Sequence, residues 1–381
     1  MKILFFMMPA HGHINPTLPV AKELVRRGEQ VVYYTTEEFE KKIKEIGAEV
    51  RVIHDKFGIQ MHEENTNQFS TNVSSPEVLI KNLSRHIKEA PQLIEQVKSE
   101  EVDGIVCDPM CLWGRTISEQ LHIPRVLFYS GIVVTPDSPI FQYFSTSFDG
   151  EIPEVIKKMF IVKEELNIAP ILREFQPDSK YLDDQYEFIG PSIIKREQEL
   201  DFPIEQIKDQ PTIFISLGSV IHNPHFNQIC IDAFANTEWK VVMVSKTILE
   251  NTNIPPNFLI NPFVPQLEVL QHSDIFISHG GVNSVMESLW FGVPLLLVPQ
   301  SSDQPIVAAR VEALNLGLVL DSNTLTVEQL REAVKKISSN LSLQRNVKEM
   351  QSTLQKCKGN IRGADVLQDY FRKKNSQYFS S

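Results

Sequence analysis

The sequence predicts an α/β protein with two parallel sheets, each in its own domain. Short apolar runs that suit buried strands alternate with helical patterns along almost all of the 381 residues, as in successive βαβ units. The rhythm breaks over 190–210, where the sequence is polar and unpatterned. A second series of strand-like runs begins directly afterwards, at Pro211. Two similar halves joined by a linker imply a cleft that faces the carboxyl edges of both sheets.

In the first half, strand-like runs alternate with helical patterns. The first run, KILFFMM from Lys2, is continuously apolar, as a strand buried on both faces of a parallel sheet must be. Pro16 suits the first turn of the helix that follows, because a helix needs no N–H donor there. The strands are predicted at 2–8, 30–36, 49–53, 104–108 and 125–129, and the helices at 16–27, 37–46, 76–98 and 114–121.

The second half repeats the pattern and then becomes helical. From Thr326 onward the helical pattern continues to the end of the chain. Its last amphipathic piece, 364–371, has an apolar face and therefore needs an apolar surface to dock on. We expect domains at 1–195 and 211–360, a linker at 196–210 and a C-terminal helix at 361–381. The strands are predicted at 211–219, 239–244, 257–263, 274–278, 293–299 and 317–320.

Three long stretches, 54–75, 130–149 and parts of 152–185, fit neither pattern. Loops of that length in a compact α/β domain are usually binding loops or lids. Large apolar side chains on them suggest an apolar ligand pocket; padding of the loops against the core is the alternative. These side chains are Phe57, Met61, Phe69, Phe141, Tyr143, Phe144 and Phe148.

Composition and charge exclude several classes of partner. With 37 Lys and Arg against 48 Asp and Glu, the net charge is −11. This balance argues against the positively charged surface that binding to nucleic acid or anionic lipid requires. No apolar run approaches the ~18 residues of a membrane span, and the apolar N-terminus lacks the cleavage site of a signal peptide. The four cysteines have no zinc spacing and suit the thiols of a reducing cytosol. We therefore expect a cytoplasmic protein.

Two residues of the first half are candidates for acid–base chemistry. His13 follows the first strand in AHGHINP and Asp108 ends the strand GIVCD, so both belong to the carboxyl edge of the predicted sheet. An imidazole there is suited to act as a base, and a carboxylate could hold it in one tautomer. The alternatives are turn or capping roles for both, His11 as the base, or a metal site on the HxH pair, for which the sequence offers no third ligand.

The stretch from Phe263 to Gln304 places polar clusters at two successive strand ends. His279 and two glycines follow the strand DIFIS, Ser301 follows VPLLLVP, and each cluster opens a helix. Free N–H groups and the helix dipole at such ends favour a diphosphate, so the pattern predicts a nucleotide-sugar site. Taken singly, each residue could equally be a helix cap. The other candidates are Gly218, Ser219, Gly281, Asn283 and Ser284 for the diphosphate, Glu287 for a ribose diol, and Asp303 with Gln304 for sugar hydroxyls.

Together these motifs resemble a known family. The spacing F-x-x-Q…H-G-G-x-N-S-x-x-E…G-V-P…P-Q-x-x-D-Q is similar to the donor-binding signature of the UDP-glycosyltransferase superfamily. The opening HGHINPTLP resembles its bacterial macrolide glycosyltransferase branch, and FIGP and SLGS extend the likeness along the chain. The resemblance implies a GT-B fold, in which two Rossmann-like domains face a central cleft. It also implies that 1–195 binds the acceptor, that 211–360 binds the nucleotide sugar, and that the C-terminal helix packs back on the N-terminal domain.

By this resemblance the protein is an inverting, metal-independent transferase without a cofactor. It would move a hexose from a UDP-sugar to a hydroxyl of a small apolar acceptor such as a flavonoid, a phenol or a macrolide. His13 would be the general base and Asp108 its partner. The resemblance further implies that Phe263, Val264 and Gln266 contact the uracil, that Glu287 binds the ribose, that Gly218, Ser219, His279, Gly281, Asn283 and Ser284 hold the diphosphate, and that Asp303, Gln304 and Ser130 contact the sugar.

The chain departs from the family pattern at two positions. Plant members usually carry Trp where this chain has Phe263 and Val282. A Phe ring can still stack on a base, with less contact area than Trp. Val282 is much smaller than Trp and leaves the site near the sugar more open. Because Asp303 and Gln304 are retained, UDP-glucose is the favoured donor. Other UDP- or TDP-sugars remain alternative donors.

Two different functions remain as alternatives on the same fold. A catalytically silent auxiliary partner would tend to lose the base or the donor signature, and this chain keeps both. A UDP-GlcNAc epimerase would need acidic catalytic residues and would give His13 no role. NAD-dependent oxidoreduction is disfavoured, because no GxGxxG follows any strand.

Overall fold

The computed structural model describes residues 1–54, 76–136, 141, 152–160, 164–194, 202–218, 223–246, 254–301 and 303–378. Within this part the chain forms two compact units, each with its own parallel sheet. The first unit runs from Met1 to Ser192 and takes in the C-terminal segment from Cys357, and the second contains Ile193–Lys356. The α/β fold of two parallel-sheet domains is thereby confirmed.

The sheet of the first unit contains β1 (Lys2–Phe6), β2 (Gln30–Thr35), β3 (Glu49–Val52), β4 (Gly104–Cys107), β5 (Arg125–Phe128), β6 (Asn167–Ala169) and β7 (Tyr186–Phe188). Their order across the sheet is β3-β2-β1-β4-β5-β6-β7, and the neighbours pair in parallel. The strand order reverses between β1 and β4. In open α/β sheets the carboxyl end of such a switch point is where ligands bind.

The helices of this unit follow the strands as βαβ crossovers require. They are α1 (His11–Ile14), α2 (Leu18–Arg26), α3 (Glu40–Glu45), α4 (Pro76–Glu89), α5 (Pro91–Lys98), α6 (Leu112–Leu121) and α7 (Glu154–Phe160), with a 3₁₀ turn at Glu37–Phe39 before α3.

Two predictions for this unit are corrected by the structure, and a third is refined. The helix predicted from Pro16 begins at Leu18, and His13 lies in the separate short helix α1. The long helix predicted at 76–98 is divided into α4 and α5 at Pro91, which has no N–H to continue the hydrogen-bond ladder. The stretch 152–185, which the sequence marks as partly irregular, contains α7 and β6.

Most of the predicted binding-loop side chains lie outside the described residues. Of the two earlier stretches, the structure describes His54, 130–136 and Phe141, and Phe141 is buried. The prediction of an apolar pocket on these loops therefore stays a prediction. The side chains outside the described part are Phe57, Met61, Phe69, Tyr143, Phe144 and Phe148.

The second unit confirms all six of its predicted strands. They are β8 (Thr212–Ser216), β9 (Lys240–Val244), β10 (Phe258–Asn261), β11 (Ile275–Ser278), β12 (Leu295–Leu297) and β13 (Gly317–Val319), in the parallel order β10-β9-β8-β11-β12-β13. The helices are α8 (Pro224–Phe234), α9 (Gln266–Gln271), α10 (Val282–Phe291), α11 (Gln304–Ala313), α12 (Val327–Ser339) and α13 (Leu341–Lys356).

Aromatic side chains hold the central strands of both sheets in register. Phe5 of β1 stacks on Tyr33 of β2, with ring centroids 4.8 Å apart. In the second unit Phe214 of β8 lies opposite Phe276 of β11, and the rings stack at 4.7 Å. Candidate site residues follow β1, β8 and β11, so core packing helps to fix where those residues emerge.

The last helix, α14 (Gly359–Tyr378), belongs to the first unit and packs on α2. Leu367 and Phe371 of this helix are fully buried, and the Phe371 ring lies so close to Gly104 of β4 that a side chain there would collide with it. Arg27 adds hydrogen bonds of 2.6 Å to Asp365 and 2.9 Å to Gln368. The amphipathic pattern at 364–371 thus reflects docking on an apolar surface. In the part of the chain that the structure describes, every helix is too short or too polar to span a bilayer.

Candidate active site

The first cluster lies at the carboxyl ends of β1 and β4. These strands pair in parallel, with Phe6 opposite Cys107, so the residues that follow them emerge side by side. His13 Nδ1 lies 2.6 Å from Asp108 Oδ2. The His13 side chain is 23% exposed, whereas that of Asp108 is 1% exposed. The two residues that the sequence singles out are therefore in hydrogen-bond contact, with the imidazole on the outer side.

The surroundings of Asp108 fix the tautomer of His13. Asp108 Oδ1 accepts a hydrogen bond of 2.8 Å from the Met110 backbone N–H, which orients the carboxylate. An ionised carboxylate only accepts hydrogen bonds, so Nδ1 of the neutral imidazole must carry the proton in the bond to Oδ2. Nε2 then carries the lone pair. This is the arrangement that a histidine needs to take a proton from a substrate.

Ser130 joins this cluster from the next strand along. It follows β5, which pairs with β4, and its Oγ lies 2.9 Å from His13 Nδ1. The family resemblance implies a sugar contact for Ser130, and the structure places its hydroxyl beside the imidazole. Sequence reasoning missed this contact because a single serine after a strand has no pattern that names its partner.

The rival histidine has different neighbours. His11 Nδ1 lies 3.0 Å from the ammonium of Lys42, and its Nε2 lies 3.1 Å from Glu38 Oε1. Both ring nitrogens of His11 thus lie against charged side chains, so His13 is the better candidate for the base.

The second cluster lies at the carboxyl ends of β8 and β11, which also pair with each other. The His279 ring lies against two glycines: a Cβ added to Gly218 would be 2.9 Å from Cε1, and one added to Gly281 would be 2.6 Å from Nε2. Gly218 also has a φ of +82°, a conformation that favours glycine. A side chain at either position would therefore collide with the ring where it lies. Ser219 lies outside the described residues.

Burial sets the protonation state of His279. It lowers the pKa of the imidazole to about 4, although a hydrogen bond to the Ser216 backbone carbonyl acts in the opposite direction. His279 is therefore neutral at pH 7. The one N–H of the neutral ring donates to the Ser216 carbonyl, so His279 brings no positive charge to a diphosphate.

The N-terminus of α10 lies directly beside this imidazole. Gly281 is the N-cap residue and the helix begins at Val282, so Asn283 and Ser284 lie in its first turn. The first backbone N–H groups of a helix have no partner within the helix, and the dipole places partial positive charge there. This end of α10 is chemically suited to an anion.

Gln266 and Glu287 are brought together by the packing of α9 on α10. Gln266 Nε2 donates to Glu287 Oε2 over 2.6 Å and lies 3.4 Å from Ser284 Oγ. Glu287 is 4% exposed, so its carboxylate depends on such donors. The resemblance assigns Gln266 and Glu287 to separate parts of a nucleotide, and the structure shows that they also orient each other.

An exposed aromatic ring follows β10. Phe263 is 54% exposed, whereas neighbouring Val264 is buried. The ammonium of Lys246, which follows β9, lies 5.0 Å from the centre of the Phe263 ring. Such a ring offers a flat surface for a base. Sequence reasoning missed Lys246, because an isolated lysine after a strand has no distinctive pattern.

Asp303 and Gln304 open α11, as the sequence predicts for the residues after VPLLLVP. Asp303 is the N-cap residue. Gln304 Oε1 accepts from the backbone N–H of Gln300 at 2.8 Å and of Ser301 at 3.1 Å. The side-chain oxygen of Gln304 therefore binds its own loop, and its NH₂ group is the end suited to a ligand.

Comparison with known proteins identifies the fold and the family of this chain. The structure of the calicheamicin glycosyltransferase CalG4 matches 98% of this chain and 98% of its own, with a TM-score of 0.76 and 25% sequence identity. The two parallel-sheet domains are therefore those of the GT-B glycosyltransferases. The model of the family described as UDP-glucoronosyl and UDP-glucosyl transferase matches residues 140–358. The chain belongs to this family and is a glycosyltransferase.

Relatives from two bacterial genera extend the match over nearly the full length. NDP-glycosyltransferase YjiC of Bacillus subtilis (strain 168) is 34% identical, over 96% of this chain and 96% of its own. Oleandomycin glycosyltransferase of Streptomyces antibioticus is 24% identical, over 96% of this chain and 90% of its own. The predicted likeness to bacterial glycosyltransferases, macrolide-modifying ones included, is confirmed.

Proposed function

We propose that this protein is an inverting, metal-independent hexosyltransferase that moves glucose from UDP-glucose to a hydroxyl of a small apolar acceptor. Flavonoids, other phenols and macrolides are the acceptor classes. The observation that carries the proposal is the 2.6 Å contact between His13 Nδ1 and Asp108. This contact suits the partly exposed imidazole to act as a base, and it argues against a catalytically silent partner.

His13 acts on the acceptor. Its Nε2 takes the proton of the acceptor hydroxyl as the oxygen attacks C1 of the sugar. The bond between that oxygen and C1 forms while the bond from C1 to the diphosphate breaks, and UDP leaves with the electron pair. Asp108 stabilises the imidazolium. Attack on the face opposite the leaving group inverts the configuration at C1.

The second unit binds the donor. The N-terminus of α10 receives the diphosphate beside the His279 ring, and the glycines next to that ring let the backbone approach it. Phe263 stacks on the uracil beside Val264 and Gln266, and Glu287 accepts from the ribose hydroxyls. Asp303 and Gln304 bind the sugar. Helix dipole and neutral donors together stabilise the departing charge, which supports transfer without a metal ion.

The acceptor class and the compartment belong to the same proposal. The relatives named for oleandomycin and calicheamicin are named for apolar natural products, which supports an acceptor of that kind. Cys107, Cys111, Cys230 and Cys357 all lie in the described part of the chain, and none is bridged to another. Unbridged cysteines suit the reducing cytoplasm.

The test is a transfer assay on the purified protein with UDP-glucose, a flavonoid and EDTA, which follows UDP release and product mass. We expect a product heavier by one hexose, with the anomeric configuration opposite to that of the donor. A requirement for added Mg²⁺ would contradict metal independence. Failure to bind UDP-glucose in calorimetry would contradict the donor assignment.

A further inference from the structure

A side-chain hydrogen bond joins the segments that follow β8 and β12. Asn223 Nδ2 donates to Gln300 Oε1 over 3.0 Å. In the sheet, β8 and β12 are the two neighbours of β11. The bond therefore links the segments on both sides of the strand whose end carries His279. Asn223 lies outside the motifs recognised in the sequence, and Gln300 is the first Gln of P-Q-x-x-D-Q, for which the sequence gives no role.

Asn223 is anchored by its own helix. It is the N-cap residue of α8, and its Oδ1 accepts from the Phe226 backbone N–H at 3.0 Å. The carboxamide thus uses its oxygen to cap the helix and its NH₂ to reach Gln300. Ser and Asp cap helices about as well as Asn, but neither has an NH₂ group for the second contact. The choice of Asn at this cap is explained by the bond to Gln300.

Gln300 is also held in place by hydrogen bonds. Its Nε2 donates to the Val298 carbonyl at 2.9 Å, and its backbone N–H donates to Gln304 Oε1 at 2.8 Å. Ser301 N–H donates to the same oxygen of Gln304 at 3.1 Å. The segment between β12 and α11 is therefore held on one side by the cap of α8 and on the other by the first residue of α11. Gln304 is buried, which leaves its carboxamide little freedom.

We propose that Asn223 and Gln300 are positioning residues that determine how the enzyme binds the sugar of its donor. We call their hydrogen bond the 223–300 bridge. It holds the segment between β12 and α11 in the conformation in which the backbone N–H groups of Gln300 and Ser301 donate to Gln304 Oε1. The Gln304 NH₂ group is then presented as a donor to a sugar hydroxyl. This inference rests on the proposed donor site, and it predicts an effect on the sugar that exceeds the effect on the nucleotide.

The experiment uses Asn223→Ser, Gln300→Met and the double variant. Ser keeps the helix cap, and Met keeps the length of Gln300 without its polar end. Loss of one neutral hydrogen bond should raise the KM for UDP-glucose about 2–10-fold. The Kd for UDP, which lacks the sugar, should stay within about twofold of the wild-type value. The double variant should be no worse than the poorer single variant, because both remove the same bond.

The measurements are KM and kcat with UDP-glucose, the Kd for UDP by calorimetry, and Tm. An unchanged KM in both single variants would overturn the proposed role of the bridge. Full additivity of the two KM effects in the double variant would overturn it as well. Equal weakening of UDP and UDP-glucose would show a general structural role and would also overturn it. A wild-type protein that binds neither ligand would instead overturn the proposed function.

Discussion

His13 and His279 follow strands of two different sheets, and their surroundings give them opposite chemistry. His13 is partly exposed and has a buried carboxylate at its Nδ1. His279 is held between two glycines, and its partner is a backbone carbonyl. A carboxylate stabilises the imidazolium that forms when a base takes up a proton. Burial keeps the His279 imidazole neutral and lowers its pKa to about 4, against the opposite effect of the carbonyl.

This difference shows that the burial and the partners of a histidine, more than its position at a strand end, determine its function. Both residues would bind or orient a substrate, and only His13 has the means to accept a proton during the reaction. The comparison predicts distinct consequences for substitutions at the two histidines.

The largest effect is expected for His13→Ala. Loss of a well-placed general base should lower kcat by about 10²–10⁴-fold. His11→Ala is the matched control, because His11 lies two residues away but binds Lys42 and Glu38. Its kcat should stay near the wild-type value, and both variants should bind UDP as the wild type does. Equal losses of kcat in the two variants would contradict the assignment of the base.

A smaller loss is expected for Asp108→Asn. The new amide oxygen still accepts from Met110, but the group no longer stabilises the imidazolium or selects the tautomer with the proton on Nδ1. We expect kcat to fall about 10²-fold, with an unchanged Kd for UDP. Steady-state kinetics and calorimetry measure the two quantities. A full kcat in this variant would show that His13 acts without its carboxylate.

The neutral state of His279 predicts a pH effect on stability. Its pKa is about 4 in the folded protein, below the ordinary value of 6.5, so the unfolded chain binds more protons between these values. The stability contribution is therefore present above pH 6.5 and is lost as the pH falls toward 4. The loss is roughly 3 kcal/mol at most.

The measurement is the free energy of unfolding in urea at pH 7 and pH 4, for the wild type and for His279→Gln, which does not titrate. The wild type should lose up to about 3 kcal/mol more than the variant. Carboxylates that titrate in the same range contribute equally to both proteins and cancel. The same loss in both would show that His279 titrates normally in the folded state.

The sequence predicts the sheets well where strands are continuous apolar runs. All six strands of the second unit and the first five of the first unit are recovered within a few residues. The structure adds β6 and β7, which have three residues each and therefore too little pattern to stand out. The sequence does not locate the break at Pro91, because the apolar pattern continues across it and a proline can also lie inside a kinked helix.

For the candidate site, the sequence predicts which strand ends carry polar groups, because that follows from local pattern and parallel topology. It does not predict which side chains meet. The contacts of Ser130 with His13, of Gln266 with Glu287 and of Asn223 with Gln300 join residues far apart in the chain. The neutrality of His279 likewise depends on burial, which is a property of the folded chain.

The most direct test of the central claim compares acceptors of different acidity. An acidic acceptor such as 4-nitrophenol ionises readily and needs little help from a base, whereas phenol needs it fully. We expect the ratio of wild-type to His13→Ala kcat to be large with phenol and much smaller with 4-nitrophenol. The corresponding ratio for His279→Gln should be the same with both acceptors. A His13→Ala ratio that does not change with acceptor acidity would contradict the assignment of His13 as the base.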